Sequence, residues 1–89
     1  MQVSYILVNR LMERDTQNYE VKFLIDTLTK NLVLRVINDF GVSVKEALDA
    51  VYNSQLYDKI LDLETGLYYQ SAGYNYQLLH KELVEGKIS

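Results

Sequence analysis

Apolar residues recur at helical spacing along most of this chain. After Ser43, the residues Ala47, Leu48, Val51 and Tyr52 fall on a single stripe. The four residues Ser43-Val44-Lys45-Glu46 fit a capping box. In such a box the Ser43 hydroxyl accepts from the amide of Glu46, and the Glu46 carboxylate reaches back to the amide of Ser43. Gly41 stands just before it, where a preceding helix needs a left-handed residue to end. The pattern predicts a helix from about Val44 to Tyr52.

Upstream, Val21, Leu24, Ile25, Leu28, Leu32, Val36, Ile37 and Phe40 continue at three- and four-residue steps. This predicts a long amphipathic helix from about Tyr19 to Phe40, ended by Gly41. Thr27 and Thr29 weaken its middle, because a β-branched side chain loses rotamer freedom in a helix. Leu32-Val33-Leu34 is apolar on too many sides for an exposed helix, so that run is either deeply buried or locally extended. Downstream, Ser54 caps a short helix carrying Leu56, Tyr57, Ile60 and Leu61, and Thr65-Gly66 makes a turn with Gly66 free to take positive φ. Ser71 caps a last helix with Tyr76, Leu79 and Leu83 on one stripe and Gly86 as terminator. Gly73 in its first turn costs roughly 1 kcal/mol against alanine.

The first fifteen residues fit two patterns. Ser4, Leu7, Val8, Leu11 and Met12 suit a short helix before an Asp15-Thr16-Gln17-Asn18 turn, whereas Val3, Tyr5 and Leu7 alternate like a strand. A lone strand would need another copy of the chain as its partner, so helix is the preferred reading. The expected fold is an all-α single domain of three to five short helices over residues 1–89. Residues 19–86 form its core, and 1–18 are an uncertain N-terminal segment.

Length and composition agree with that architecture and remove several functions. Eighty-nine residues make one domain, which at this size buries somewhat over ~60% of its unfolded surface. There is no cysteine, hence no disulfide framework, no thiol nucleophile and no thiolate zinc site, which points to a reducing, cytoplasmic setting. The longest unbroken apolar run, Tyr5-Ile6-Leu7-Val8, falls far short of the ~20 residues that cross a bilayer, and Met1-Gln2-Val3-Ser4 lacks the basic flank of a signal peptide. The absence of proline suits helices joined by tight turns. Net charge is −3, with residues 43–89 holding seven acids against Lys45, Lys59, Lys81 and Lys87. No segment is basic enough to mark a polyanion partner.

The chemistry-bearing residues are few. His80, the single histidine, lies beside Lys81 and Glu82 near the end of the last helix and reads as a surface residue. One histidine without cysteine builds neither a triad nor an ordinary zinc site. Asp58/Asp62 and Asp62/Glu64 are paired carboxylates, a spacing that usually means a solvated helix end. The four glycines are scattered and form no phosphate loop. These residues predict no catalytic, cofactor or metal site.

Two arrangements bear on partners. The helix, the Phe40-Gly41-Val42-Ser43 turn and the next helix have helix-turn-helix dimensions, so a DNA-binding regulator using the turn at Gly41 is the alternative reading. Its recognition face would present Lys45, Glu46 and Asp49, and two acids facing phosphates count against it. The other arrangement is tyrosine: Tyr52, Tyr57, Tyr68, Tyr69, Tyr74 and Tyr76 fall close together. Tyrosine joins a large apolar area to a polar tip and is enriched in interfaces. Tyr68, Tyr69 and Tyr74 surround the Gly66–Gly73 loop, where burial of all three is not expected, and they are the predicted contact surface.

The stretch Gly41-Val42-Ser43, Glu46-Ala47-Leu48, Tyr52-Asn53-Ser54, Tyr57-Asp58-Lys59, Glu64-Thr65-Gly66-Leu67-Tyr68 and Ser71 resembles a family of short bacterial helical proteins of unknown function. The resemblance covers about residues 20–86 and rests on structural punctuation. Some members of similar families look like the small partner of toxin-like enzymes. The resemblance therefore implies a non-enzymatic protein–protein interaction module, antitoxin-like or self-associating, whose partner is a protein or a second copy.

Overall fold

The computed structural model describes residues 16–86. It contains four α-helices, α1 (Thr16–Phe40), α2 (Val44–Tyr52), α3 (Gln55–Leu61) and α4 (Ala72–Glu85), with two single-turn 3-10 helices, Leu63–Thr65 and Leu67–Tyr69, between α3 and α4. No strand occurs among the described residues, and the domain is all-α. The choice between helix and strand for residues 1–15 lies outside them.

Each junction is fixed by short-range chemistry. Gly41 takes φ +64°, ending α1 with its amide on the Ile37 carbonyl. Ser43 opens α2 with both halves of the capping box: its Oγ accepts from the Glu46 amide at 3.1 Å, and Glu46 Oε1 accepts from the Ser43 amide at 3.0 Å. These bonds favour the ionised Glu46 and hold its carboxyl below the ordinary value of 4.5. Ser54 does double duty between α2 and α3. It donates to the Val51 carbonyl at 2.7 Å and accepts from the Tyr57 amide at 3.0 Å, so two helices meet with a single buried residue as hinge. Ser71 caps α4 through the Tyr74 amide, and Gly86 closes it at φ +84°.

The core is one cluster. Leu28, Leu32, Val33 and Val36 from α1 meet Ala47 and Val51 from α2, Leu56 and Ile60 from α3, and Leu79 from α4. α1 packs against α2, α4 and the second 3-10 turn, while α4 also covers α3. The Leu32-Val33-Leu34 run stays helical: Leu32 and Val33 are buried and Leu34 is exposed. Thr29 fits because its hydroxyl donates to the Ile25 carbonyl at 2.7 Å, which satisfies it inside the helix.

Three expectations change. Of the turn foreseen at Asp15-Thr16-Gln17-Asn18, the described residues Thr16, Gln17 and Asn18 already belong to α1, and Asp15 lies outside them. That helix, at 25 residues, is the long helix expected, begun three residues before Tyr19. Tyr52, placed on the apolar stripe of α2, is exposed, and the last helix buries Asn75 beside Leu79 while Tyr76 is half-buried.

Candidate functional site

The corner between α3 and α4 is tightly constrained. Thr65 Oγ1 shares its proton between the carbonyls of Lys59 at 2.7 Å and Asp62 at 2.9 Å, and accepts from the Leu67 amide at 3.2 Å. Asp62 Oδ1 accepts from the Glu64 amide at 3.1 Å, so this acid caps the first 3-10 turn. Gly66 follows at φ +69°, a conformation that costs a non-glycine residue about 1–2 kcal/mol. A Cβ at Gly66 would sit 2.8 Å from Tyr69 Oη, because the Tyr69 ring lies across the glycine.

Asn75 fastens the loop from below. Its Nδ2 donates to the carbonyls of Leu67 at 2.9 Å and Ser71 at 3.1 Å, tying the second 3-10 turn to the first turn of α4. Asn75 is fully buried, and its Oδ1 has no hydrogen-bond partner. A buried amide oxygen left unpaired costs on the order of 1–3 kcal/mol, so the two donated bonds carry the residue. The Gly66–Gly73 loop is a double 3-10 turn, and Gly73 lies inside α4.

On this frame the three predicted contact tyrosines separate. Tyr68 is half-buried against the core, and Tyr69 stands 63% exposed, its ring edge-on to Tyr68 with centroids 5.1 Å apart. Both line a notch of about 150 Å³ whose other wall is Leu24, Thr27, Leu28 and Asn31 of α1. Tyr74 is 51% exposed on α4 and is not among the residues of that notch. The structure thus brings Tyr68 and Tyr69 together and leaves Tyr74 to one side.

Tyr76, His80, Tyr57 and Tyr52 each have a neighbour within the fold. Tyr76 donates to Asp39 Oδ2 at 2.7 Å, joining α4 to the end of α1. Burial, then the hydrogen bond to Asp39 and its negative charge, push the Tyr76 hydroxyl well above the ordinary tyrosine range, with Arg35 opposing. His80 is exposed between the rings of Phe40 and Tyr76, with centroids 5.8 and 6.0 Å away. Tyr57 is raised by burial first, then by Tyr52 and Asp26. Tyr52 and Tyr57 meet edge-on at 5.0 Å. Among the described residues no three acidic, histidine or cysteine side chains converge on a metal-sized space. No helix among them is long and apolar enough to cross a membrane.

One contact has no precursor in the sequence pattern. Glu82 of α4 sets both carboxylate oxygens on the N-terminus of α3, accepting from the amides of Gln55 at 2.6 Å and Leu56 at 3.0 Å. Glu82 therefore belongs to the scaffold, tying the start of α3 to the C-terminal part of α4, away from the tyrosine corner. Compared with protein-family models, curated proteins and solved structures, the chain matches none.

Proposed function

We propose that the chain is a non-enzymatic, cytoplasmic protein-binding module whose contact surface is the tyrosine corner, with Tyr69 as the anchor, Tyr68 as its support and Tyr74 at the margin. The observation that carries this reading is a large, exposed aromatic ring fixed over Gly66 beside an apolar notch. An aromatic side chain already held in place loses little further freedom on docking, and interface energy concentrates in such anchors. The antitoxin-like role implied by the resemblance to small bacterial helical proteins is a narrower form of the same reading.

The helix-turn-helix alternative would use α2 as recognition helix. Its outward residues include Lys45, Glu46 and Asp49, and Glu46 is occupied in the cap. A helix with this charge repels phosphates, which favours the protein partner.

The test pairs stability with binding in Tyr68→Ala, Tyr69→Ala and Tyr74→Ala. The expected outcome is that Tyr69→Ala keeps its melting temperature yet no longer retains the partner that the wild-type chain captures stoichiometrically from its native host. Tyr68→Ala is expected to melt earlier, because that ring also covers the core. Capture unchanged in Tyr69→Ala, or salt-sensitive sub-micromolar binding of duplex DNA, overturns the reading.

A further inference from the structure

Among the described residues, α1 carries large apolar side chains that the core leaves exposed. Tyr19 and Phe23, 67% and 64% exposed, stand on its outer side, and Leu34, at 62%, continues that side along the helix. Beside Leu34 the face opens into a groove of about 420 Å³ between α1 and α2, lined by Asp26, Lys30, Val33, Leu34, Leu48 and Tyr52.

The positions Tyr19, Phe23, Asp26, Lys30, Val33 and Ile37 advance in alternating steps of four and three. That is the spacing of a coiled-coil seam, along which Tyr19, Phe23, Asp26 and Lys30 are exposed, whereas Val33 is a core residue that reaches the groove only by its edge and Ile37 is half-buried against the core. The seam is also self-complementary. A two-fold axis level with residue 28 lays the helix antiparallel on its copy and pairs Tyr19 with Ile37, Phe23 with Val33 and Asp26 with Lys30. Each layer joins a residue from the uncovered end of the seam to one bordering the core, and the charged layer joins opposite signs twice over. The Phe23 ring of one copy then enters the apolar end of the other copy's groove, against Val33, Leu34, Leu48 and Tyr52. Asp26 already has Lys22 at 3.6 Å on its own helix, so the partner's Lys30 would approach a carboxylate held on the seam.

We propose that a second copy of this chain covers this face, forming an isologous antiparallel dimer through α1. The seam from Tyr19 to Ile37 spans ~27 Å at 1.5 Å per residue. With Val33 already buried and Ile37 half-buried, the area such a seam can cover is small, below the ~1,200 Å² in total of standard specific interfaces. The dimer is accordingly a weak one, dissociating in the micromolar range, and it closes at two because an isologous contact uses the same patch on both partners. The inference is independent of the tyrosine corner, which lies on a different part of the surface.

Sedimentation of the full chain across concentration tests it through a charge swap. Asp26→Lys and Lys30→Asp each place like charges in the central layer, so each variant alone should dissociate about tenfold or more readily than wild type, an unfavourable pairing of this size being common at interfaces. An equimolar mixture of the two restores both ion pairs and should sediment as a heterodimer. Phe23→Glu should be monomeric with a melting temperature equal to that of the monomeric wild type. A wild-type chain that stays monomeric throughout, a dimer indifferent to both charge changes, a mixture that does not associate, or an open series of larger species overturns the proposal. So does early melting of Phe23→Glu, because it means the face is covered within a single chain. Tyr69→Ala should leave the dimer unchanged, so the two readings fail separately.

Discussion

Replacing Glu82 with alanine tests how α3 is held. This helix has seven residues, too few to be stable alone, since isolated helices shorter than ~12 residues are marginal in water. Its N-terminal amides are satisfied from two directions, Ser54 taking the Tyr57 amide and Glu82 taking those of Gln55 and Leu56. Truncation at Glu82 removes two charge-assisted hydrogen bonds, each of which contributes ~1.5–3 kcal/mol when well shielded. Gln55 is exposed, so water replaces that acceptor at little cost, whereas the Leu56 residue is buried and its amide is poorly placed to find one. Loss of the favourable carboxylate at a helix N-terminus adds ~0.3–1 kcal/mol. The expected destabilisation is about 2 kcal/mol, or roughly 10 °C in melting temperature for a domain this small. Glu82→Gln keeps one acceptor oxygen but turns a donor towards the second amide, and should lose about 1 kcal/mol. Urea denaturation at equal slope measures both values, and amide exchange at Gln55 and Leu56 locates the effect. A Glu82→Ala midpoint equal to wild type would refute the reasoning, as would faster exchange elsewhere with these two amides unchanged.

Other expectations follow from the caps and the loop. Ser43→Ala should cost ~1 kcal/mol, the usual value for a lost N-cap, and a denaturation midpoint unchanged at equal slope would contradict it. Glu46 has a carboxyl lowered below 4.5, so its share of stability is present above that value and lost as pH falls through the lower folded one. Glu46→Gln should therefore flatten the acid limb of the stability profile, and parallel wild-type and variant curves below pH 4.5 would contradict this. Asn75→Ala removes the ties to Leu67 and Ser71 but also relieves the unpaired Oδ1. It should cost about 2 kcal/mol, with fast exchange at Leu67 and Tyr69 as its mark, and protected amides there would contradict the role given to Asn75.

The parts legible in the sequence are those written over three or four residues. Ser43, Ser54 and Ser71 cap the helices they were expected to cap, and Gly41, Gly66 and Gly86 take the left-handed conformations their positions required. Such features depend on neighbours along the chain and carry their own chemistry. Glu82 could not be found this way, because its partners lie 27 and 26 residues off and are backbone amides without a signature. Asn75 was hidden for a related reason: its burial makes sense only once the Leu67 carbonyl folds back over α4. The apolar pattern of α1 revealed a core stripe and left Phe23 off it, but gave no sign that Leu24 and Phe40, placed on the stripe, would be exposed, since the width of the covered face is set by the neighbouring helices. The crowding of tyrosines marked the corner on which the proposed contact surface rests. The separation of Tyr68 and Tyr69 from Tyr74 needed the wall supplied by α1.

The edge-on tyrosine pairs have an optical consequence. The chain contains no tryptophan, so its near-ultraviolet spectrum belongs almost wholly to tyrosine. Two rings held at a fixed, asymmetric angle couple their transitions and produce circular dichroism, which vanishes when either ring turns freely. Tyr68–Tyr69 at the corner and Tyr52–Tyr57 beside α1 are two such couples, on different parts of the surface. The signal lost in Tyr69→Phe reports the first couple, and the signal lost in Tyr52→Phe reports the second. Each candidate surface therefore carries its own built-in chromophore, and occupation of either can be followed without attaching a label.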